Sequence, residues 1–276
     1  MTKRKNVLLI FLTLLTSLSL VGCGRQKTDG DQWPRIKAEK KVIVGLDDTF
    51  VPMGFQNKSG QIVGFDVDLA KAVFDLYGIK VDFQPIDWSM KENELQNQTI
   101  DLIWNGYSRT DERAQKVLFS DSYLRNGQVI VALKKSGIKS FQDLKGKVVG
   151  LQNGSSGYDR FEKQPKILKD LVKNHEPVLY DGFNEAFMDL NAGRIDGLLI
   201  DRGYATYYLS HESNPSDYSV ISGGFKPESF AVGLRKSDRE LANKINEGLK
   251  ILKKNGKLAE ISKKWFGQDL ERQQKN

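Results

Sequence analysis

A short apolar segment in the first half of the chain is followed by three residues that could bind a ligand. Residues 100–103 are mostly apolar and predict a buried strand. Gly106, Ser108 and Arg113 come after it, in a loop and in a helix that Thr110 would cap. Ligands of open α/β sheets bind at this carboxyl edge, and a guanidinium fork suits a carboxylate. The spacing therefore predicts a carboxylate site, with an exposed surface Arg113 as the alternative.

A similar segment recurs in the second half of the chain. Residues 195–200 again follow a predicted helix and turn, and their strand ends at Asp201. Two such α/β units facing each other would place Ser108, Arg113 and Asp201 across one cleft. Asp201 could instead cap the helix that follows it, so the pattern leaves both interpretations open.

Other predicted strand ends also carry polar or aromatic residues. Asp47 and Phe50 follow the first predicted strand, and Trp88 lies in a predicted loop after another. Ser156 lies at the start of a helix preceded by small polar residues, where free backbone N–H groups could bind an anion. No Gly-Lys-Ser/Thr follows, so this is not a P-loop. Phe50 and Trp88 could equally be core aromatics.

Composition excludes several classes of protein. The 276 residues suffice for one large or two ordinary domains, with 39% hydrophobic and 28% charged residues. The net charge of +7 falls to +4 without Lys3, Arg4 and Lys5, and this modest excess does not favour nucleic-acid binding. His175 and His211 lie in polar contexts without metal-ligand spacing, so no metal or cofactor is expected.

The N-terminal segment predicts export and lipid anchoring. A basic start is followed by an apolar run over residues 7–20, too short for a comfortable membrane span. Leu20-Val21-Gly22-Cys23 then resembles a bacterial lipobox, in which the cysteine is acylated. Cys23 is the only cysteine, so no intramolecular disulfide can form. We expect residues 1–22 to be a signal peptide and 23–37 a flexible tether, with an incidental cysteine as the alternative.

Several motifs in order resemble one family of binding proteins. The motifs fall at residues 45–52, 64–70, 108–113, 119–123, 193–201 and 232–236. Together they resemble the polar amino-acid solute-binding proteins of ABC importers, bacterial extracellular solute-binding protein family 3. The resemblance covers about residues 38–267.

The resemblance implies an α/β, two-lobed periplasmic-binding-protein-like fold. Each lobe would be a mixed sheet flanked by helices, and two hinge crossings would join the lobes. Lobe 1 would comprise residues 38–127 and 223–267, and lobe 2 residues 128–222. Residues 268–276 would form a polar tail.

The resemblance also implies how the backbone end of an amino acid is held. Arg113 matches the arginine that binds the α-carboxylate, helped by Ser108 and by backbone N–H groups near Ser156. Asp201 matches the acid that binds the α-ammonium, helped by Ser108 and the Gly106 carbonyl.

The implied side-chain pocket is less regular. Phe50 and Trp88 match aromatics that flank the ligand side chain, and Asp47 matches an acid at its far end. Asn105 stands where many relatives have a hydroxyl residue, and Arg202 could enter the pocket. Asp47 favours a cationic or donor-rich ligand, whereas Arg202 would oppose it.

These expectations add up to a lipid-anchored, monomeric solute-binding component outside the cytoplasmic membrane. It would capture a free polar or cationic L-amino acid and deliver it to an ABC permease, with arginine favoured and glutamine or cystine as alternatives. A dehydratase of cyclic hydroxy acids on the same fold would use Asp47 and Asp201 as acid and base. A receptor sensor domain is disfavoured because no transmembrane segment is predicted after residue 267, and an added host-interaction role stays open.

Overall fold

The computed structural model describes residues 30–270 as a mixed α/β protein. Cys23, the predicted signal peptide and residues 271–276 lie outside the described residues. None of the helices within 30–270 combines the length and the apolar character needed to cross a bilayer.

Strands and helices are interspersed along the chain. The strands are β1 Lys41–Leu46, β2 Thr49–Phe50, β3 Gly54–Gln56, β4 Ile62–Val63, β5 Lys80–Pro85, β6 Leu102–Ile103, β7 Leu118–Phe119, β8 Leu124–Asn126, β9 Gln128–Leu133, β10 Val149–Gln152, β11 Val178–Tyr180, β12 Gly197–Asp201, β13 Tyr218–Ser222, β14 Glu228–Phe230 and β15 Gly233–Leu234. The helices are α1 Trp33–Glu39, α2 Phe65–Asp75, α3 Lys91–Gln96, α4 Asp111–Lys116, α5 Ser156–Lys163, α6 Phe183–Asn191, α7 Arg202–Ser210, α8 Arg239–Lys254 and α9 Lys257–Phe266. Short 3-10 helices cover Trp88–Met90, Lys134–Ser136, Phe141–Leu144, Lys173–His175 and Pro215–Asp217.

The first of two five-stranded sheets has the order β5-β1-β6-β15-β7. β1 runs parallel to β5 and β6, whereas β15 is antiparallel to β6 and β7. Val42, Val44 and Leu46 of β1 are fully buried, as expected for a central strand covered on both faces. Helix α8 buries one face along residues Leu241 and Ile245, following the 3.6-residue period. We call the half of the molecule built on this sheet lobe 1.

The second sheet has the order β11-β10-β12-β9-β13. β10 is parallel to β11 and β12, and β9 is antiparallel to β12 and β13. Helix α6 covers it with buried Phe183, Phe187 and Leu190. We call this half lobe 2.

Two chain segments run side by side and connect the two sheets. β8 and β14 pair antiparallel, with Asn126 opposite Glu228 and Leu124 opposite Phe230. These paired segments are the two crossings of a two-lobed fold. The residue bounds predicted for the lobes stay a prediction.

Two local expectations were wrong. Trp88 begins a 3-10 helix instead of lying in an irregular loop, because the Asp87 side chain accepts a hydrogen bond from the Ser89 N–H and caps it. The tether predicted over 23–37 does not extend through its last residues, because α1 packs Trp33 edge-on against Tyr77. At the other end of the described chain the Leu270 N–H donates to the Ser262 hydroxyl, and the polar tail predicted over residues 268–276 stays a prediction.

Candidate functional site

The carboxyl ends of strands from both sheets meet at one cleft. Its lining residues are Asp47, Phe50, Trp88, Asn105, Gly106, Arg113, Gln152, Ser155, Ser156 and Asp201. Every predicted ligand residue except Ser108 lines the cleft, and Ser108 is hydrogen-bonded to one of the lining residues. The topology therefore brings together residues that are distant in sequence.

Arg113 is buried on the lobe 1 side of the cleft. Thr110 caps helix α4 by accepting a hydrogen bond from the Arg113 N–H, as the sequence predicted. The guanidinium donates from Nη1 to the Ser108 carbonyl at 3.1 Å and from Nη2 to the Gly154 carbonyl at 3.0 Å. It also stacks over Tyr107, with 4.6 Å from Cζ to the ring centroid. Arg113 is only 4% exposed, which rejects the surface alternative.

Charged side chains surround Arg113. Glu92 and Asp159 lie 3.9 Å and 3.8 Å from its Nε atom. The buried Lys91 ammonium donates to the carbonyls of Trp88 at 2.9 Å and Gly154 at 2.8 Å. Burial, together with the nearby Arg113 charge, lowers the pKa of Lys91 to about 8. This end of the cleft thus pairs two cations with two anions.

Gly106 occupies a position that only glycine fits. Its φ is +55°, and a Cβ atom would lie 2.5 Å from Cε1 of Phe50. Its N–H donates to Asp66 Oδ2 at 2.6 Å, and the Tyr123 hydroxyl donates to the same oxygen at 2.9 Å. Burial raises the pKa of Asp66 to about 7. Asp66 therefore fixes the loop that carries Gly106.

The start of helix α5 supplies lobe 2 groups to the cleft. Ser155 caps the helix by accepting a hydrogen bond from the Tyr158 N–H at 3.0 Å. The hydroxyls of Ser156 and Ser108 are hydrogen-bonded at 3.1 Å across the two lobes. Ser155 and Ser156 are buried and line the cleft. The first N–H groups of a helix have no intrahelical partner and suit an anion.

Asp201 ends β12 and lies beside a second carboxylate, Glu228. Asp201 accepts hydrogen bonds from the Asn126 amide and from Gln128 Nε2, the latter at 2.9 Å. Burial, together with the charge of Glu228, raises the pKa of Asp201 to about 7. The Asp201 side chain makes no capping hydrogen bond to α7, so the helix-cap alternative does not describe it.

Asp47 directly follows β1, and its side chain reaches across the cleft. One carboxylate oxygen accepts from the Thr49 N–H at 2.9 Å and hydroxyl at 2.7 Å. The other accepts from Gln152 Nε2 of lobe 2 at 2.6 Å. Burial raises the pKa of Asp47 above its ordinary value. Asn105 accepts a hydrogen bond from the Asp47 N–H at 3.1 Å, which accounts for an amide at that position.

The two predicted aromatic side chains pack against different parts of the protein. Phe50 packs against Phe183 and Tyr204 of lobe 2, with ring centroids 5.9 Å and 5.5 Å apart. Trp88 packs edge-on against Tyr107 at 6.0 Å. Both rings are largely buried and line the cleft, so each serves the core and the site at once.

Arg202 does not enter this cleft. Its guanidinium is directed to Ser222 and donates to that hydroxyl at 2.7 Å. The predicted conflict between Arg202 and Asp47 is therefore wrong, because Arg202 begins a helix that carries its side chain outward.

The lobes approach closely around the cleft. Gln152–Asp47, Ser156–Ser108 and Arg113–Gly154 hydrogen bonds all cross from one lobe to the other. The space left among the lining residues is about 10 Å³, near the size that one water needs. A larger molecule can enter only if the lobes part.

Sequence reasoning missed several residues of the site. Gln152 ends β10 and Asp47 directly follows β1, so the same rule of polar residues at strand ends would have found Gln152. Asn126, Gln128 and Glu228 lie in or beside the crossings, where no local pattern marks them. Within residues 30–270, no cluster of His, Cys, Asp and Glu is suited to hold a metal ion.

Comparison with known proteins identifies a family. The profile of the bacterial extracellular solute-binding proteins, family 3, matches residues 42–268. The arginine-binding extracellular protein ArtP of Bacillus subtilis is 31% identical over 95% of this chain and 98% of its own. The L-cystine-binding protein TcyJ of Escherichia coli K12 is 32% identical over 86% of each chain.

A solved structure is more similar still. It is an ABC uptake transporter substrate-binding protein from Streptococcus pneumoniae with bound histidine. Its identity is 56%, its TM-score is 0.87, and the match covers 88% of this chain and 99% of that one.

Proposed function

Because the chain belongs to the bacterial extracellular solute-binding proteins of family 3, we propose that its cleft captures a free polar or cationic L-amino acid for an ABC importer. The amino acid would then pass to the membrane permease of that importer. A family of solute-binding proteins favours this role over the dehydratase alternative. The protein would act as a monomer without a cofactor.

The observation that carries the proposal is a pair of buried, opposite charges at the cleft. Arg113 lies on lobe 1 and Asp201 on lobe 2, and both are at most 6% exposed. A zwitterion leaving water needs a partner for each charge, and charge-assisted hydrogen bonds contribute about 1.5–3 kcal/mol each. We assign Arg113, Ser108 and the N–H groups near Ser156 to the α-carboxylate. We assign Asp201, with Ser108 and the Gly106 carbonyl, to the α-ammonium.

The remaining cleft residues would select the side chain. Phe50 and Trp88 offer flat apolar surfaces, and Asp47 with Gln152 offers hydrogen-bond acceptors and a donor at the far end. Arginine, cystine and histidine are named in the relatives described above. L-arginine and L-histidine are the first candidates here, because a carboxylate favours a cationic tip. L-glutamine and L-cystine are the alternatives.

Capture requires a hinge. An amino acid would replace the hydrogen bonds that now join the lobes, so the lobes must part and close again about β8 and β14. We expect a smaller radius of gyration in small-angle scattering when saturating ligand is added. Identical scattering curves with and without a bound ligand would contradict closure.

The protein would work at the outer face of the cytoplasmic membrane. Its family is extracellular, and Cys23 follows an apolar N-terminal run. Acylation of Cys23 would anchor the protein, in the way that lipid chains hold peripheral proteins to bilayers. Cys23→Ala should move it from the membrane fraction to the soluble fraction, and retention at the membrane would reject the anchor.

A thermal-shift screen of the twenty amino acids, ornithine and cystine tests the ligand proposal. Ligand at 100 times its Kd should add about 2.7 kcal/mol to the free energy of unfolding. We expect L-arginine or L-histidine to raise Tm most, and their D-enantiomers to do much less. If no amino acid raises Tm while the protein unfolds cooperatively, the proposed function is wrong.

A further inference from the structure

Asp201 and Glu228 share their hydrogen-bond donors. The Asn126 side-chain amide donates to both carboxylates, and Gln128 Nε2 donates to Asp201 at 2.9 Å and to Glu228 at 2.7 Å. Glu228 also accepts the Ser156 hydroxyl at 3.0 Å. Two buried carboxylates therefore lie within reach of the same two amide nitrogens.

The charges facing this pair do not balance. Arg160 of α5 contacts Glu228 from Nε and Nη2, each at 3.3 Å. Arg113 of α4 also favours the ionised form of Asp201, but it is already paired with Glu92 and Asp159. The elements carrying Asn126 and Gln128 contribute neutral amides, and Arg202 beside Asp201 points to Ser222.

The pair with Arg160 thus carries one excess negative charge when both carboxylates are ionised. Like charges in a buried site resist joint ionisation, so one proton is retained near neutral pH. An incoming ammonium removes that resistance because it supplies the missing positive charge.

We propose that Glu228 is a positioning residue that makes capture of the ligand's ammonium depend on release of one proton from the Asp201–Glu228 pair. The proposal rests on the assignment of Asp201 to the α-ammonium. The protonated carboxyl gives its proton to solvent, and the resulting carboxylate accepts a hydrogen bond from the ligand's ammonium. Glu228 acts through Asp201 and the shared amides, not by contact with ligand.

The sign of the pH dependence follows. Burial and Glu228 raise the pKa of Asp201 to about 7 in the protein without ligand, and a bound ammonium lowers it. The ligand therefore prefers the ionised pair. Affinity should be constant above about pH 8 and fall as pH drops through 7, approaching tenfold per pH unit.

Calorimetric titrations with L-arginine and with L-histidine between pH 5 and pH 8.5 test this. Binding should be about 100-fold weaker at pH 5 than at pH 8 after correction for the ligand's own ionisation. Repeating the titrations at pH 6 in two buffers of different ionisation enthalpy should show nearly one proton released per ligand. No proton release beyond that of the ligand would overturn the proposal.

Three variants separate a charge effect from a packing effect. Glu228→Gln should shift the fall in affinity to lower pH, and Glu228→Asp should keep it near neutrality. Arg160→Gln leaves Glu228 uncompensated and should shift the fall to higher pH. Loss of packing alone would not shift the midpoint in opposite directions. The exposed Glu176→Gln serves as the matched control.

A ligand-free measurement keeps this test independent of the proposed function. Carbon-13 titration of the aspartate carboxyl groups should show resonances of Asp66 and Asp201 with midpoints near pH 7, and Glu228→Gln should move down only the midpoint of the Asp201 resonance. If the Asp201 resonance shows this midpoint and shift but neither amino acid binds at any pH, the proposed ligand is wrong and the coupling of Asp201 to Glu228 still holds. If amino acids bind and Glu228→Gln leaves both profiles unchanged, the role of Glu228 is wrong.

Discussion

The two lobes have the same framework and present opposite charges. β5-β1-β6 in lobe 1 and β11-β10-β12 in lobe 2 are parallel three-stranded units, each extended by two strands through an antiparallel neighbour. Asp47 directly follows β1 and Gln152 ends the equivalent strand β10, and their side chains are hydrogen-bonded at 2.6 Å. Lobe 1 places Arg113 after β6, whereas lobe 2 places Asp201 at the end of β12. The scaffold therefore sets positions, and the residues after each strand set the chemistry.

The lobes also differ in how their buried charges are compensated. Lobe 1 surrounds Arg113 with Glu92 and with carbonyl oxygens, and its cluster reaches lobe 2 through Gly154. Lobe 2 pairs Asp201 with a second anion that comes from the hinge. We expect lobe 1 to fix the strength of binding and lobe 2 to make it depend on pH.

The largest effect should come from removing the lobe 1 cation. If Arg113 holds the ligand carboxylate as proposed, Arg113→Ala leaves that carboxylate buried without its partner, which costs about 3–5 kcal/mol. Affinity for the best ligand of the screen should fall by roughly two to four powers of ten, measured by calorimetry. Arg109→Ala is the matched control, since Arg109 is exposed and four residues away.

The same experiment can reject the division of roles between the lobes. A change below tenfold in Arg113→Ala, with an unchanged circular dichroism spectrum, would mean that Arg113 only joins the lobes. Its hydrogen bond to the Gly154 carbonyl would then be its main contribution.

A smaller loss of ligand affinity should follow from removing the charge of Asp201 in lobe 2. Asp201→Asn keeps the shape and one acceptor but removes the charge that faces the ammonium, costing about 1.5–3 kcal/mol. At pH 8 the affinity for L-arginine should fall by roughly 10- to 150-fold. The α-hydroxy analogue of arginine lacks the ammonium and should bind wild type and variant almost equally. Equal losses for both ligands would remove Asp201 from the ammonium site.

The main parts of the cleft could be predicted because they follow strands. Arg113, Ser108, Asp201 and Asp47 each come a few residues after an apolar run, and parallel strands bring their carboxyl ends to one edge. The similar segments at residues 100–103 and 195–198 lead into β6 and β12, and these strands hold equivalent places in the two sheets.

The missed parts depend on contacts between distant segments. Glu228 meets Asn126 only because β14 pairs with β8 across 102 residues of chain. Helix α1 was missed because its seven residues are too few to display a helical period. Arg202 was misplaced because the direction in which a helix start carries a side chain cannot be read from its position next to Asp201.

The smallest effect should arise where the two lobes touch at Asp47 and Gln152. Asp47 already accepts three hydrogen bonds, two from Thr49 and one from Gln152, so its charge is partly satisfied before any ligand arrives. Asp47→Asn should weaken the binding of L-arginine by about 1.4 kcal/mol, or tenfold, because the cationic end of the ligand side chain loses its counter-charge. The affinity for L-glutamine should change by less than about threefold, since the asparagine amide can still form a hydrogen bond with it. Asp48→Asn next to it is the matched control, and calorimetry with both ligands gives the comparison. If both ligands weaken equally, Asp47 joins the lobes without reading the side chain, and specificity has to come from Phe50 and Trp88.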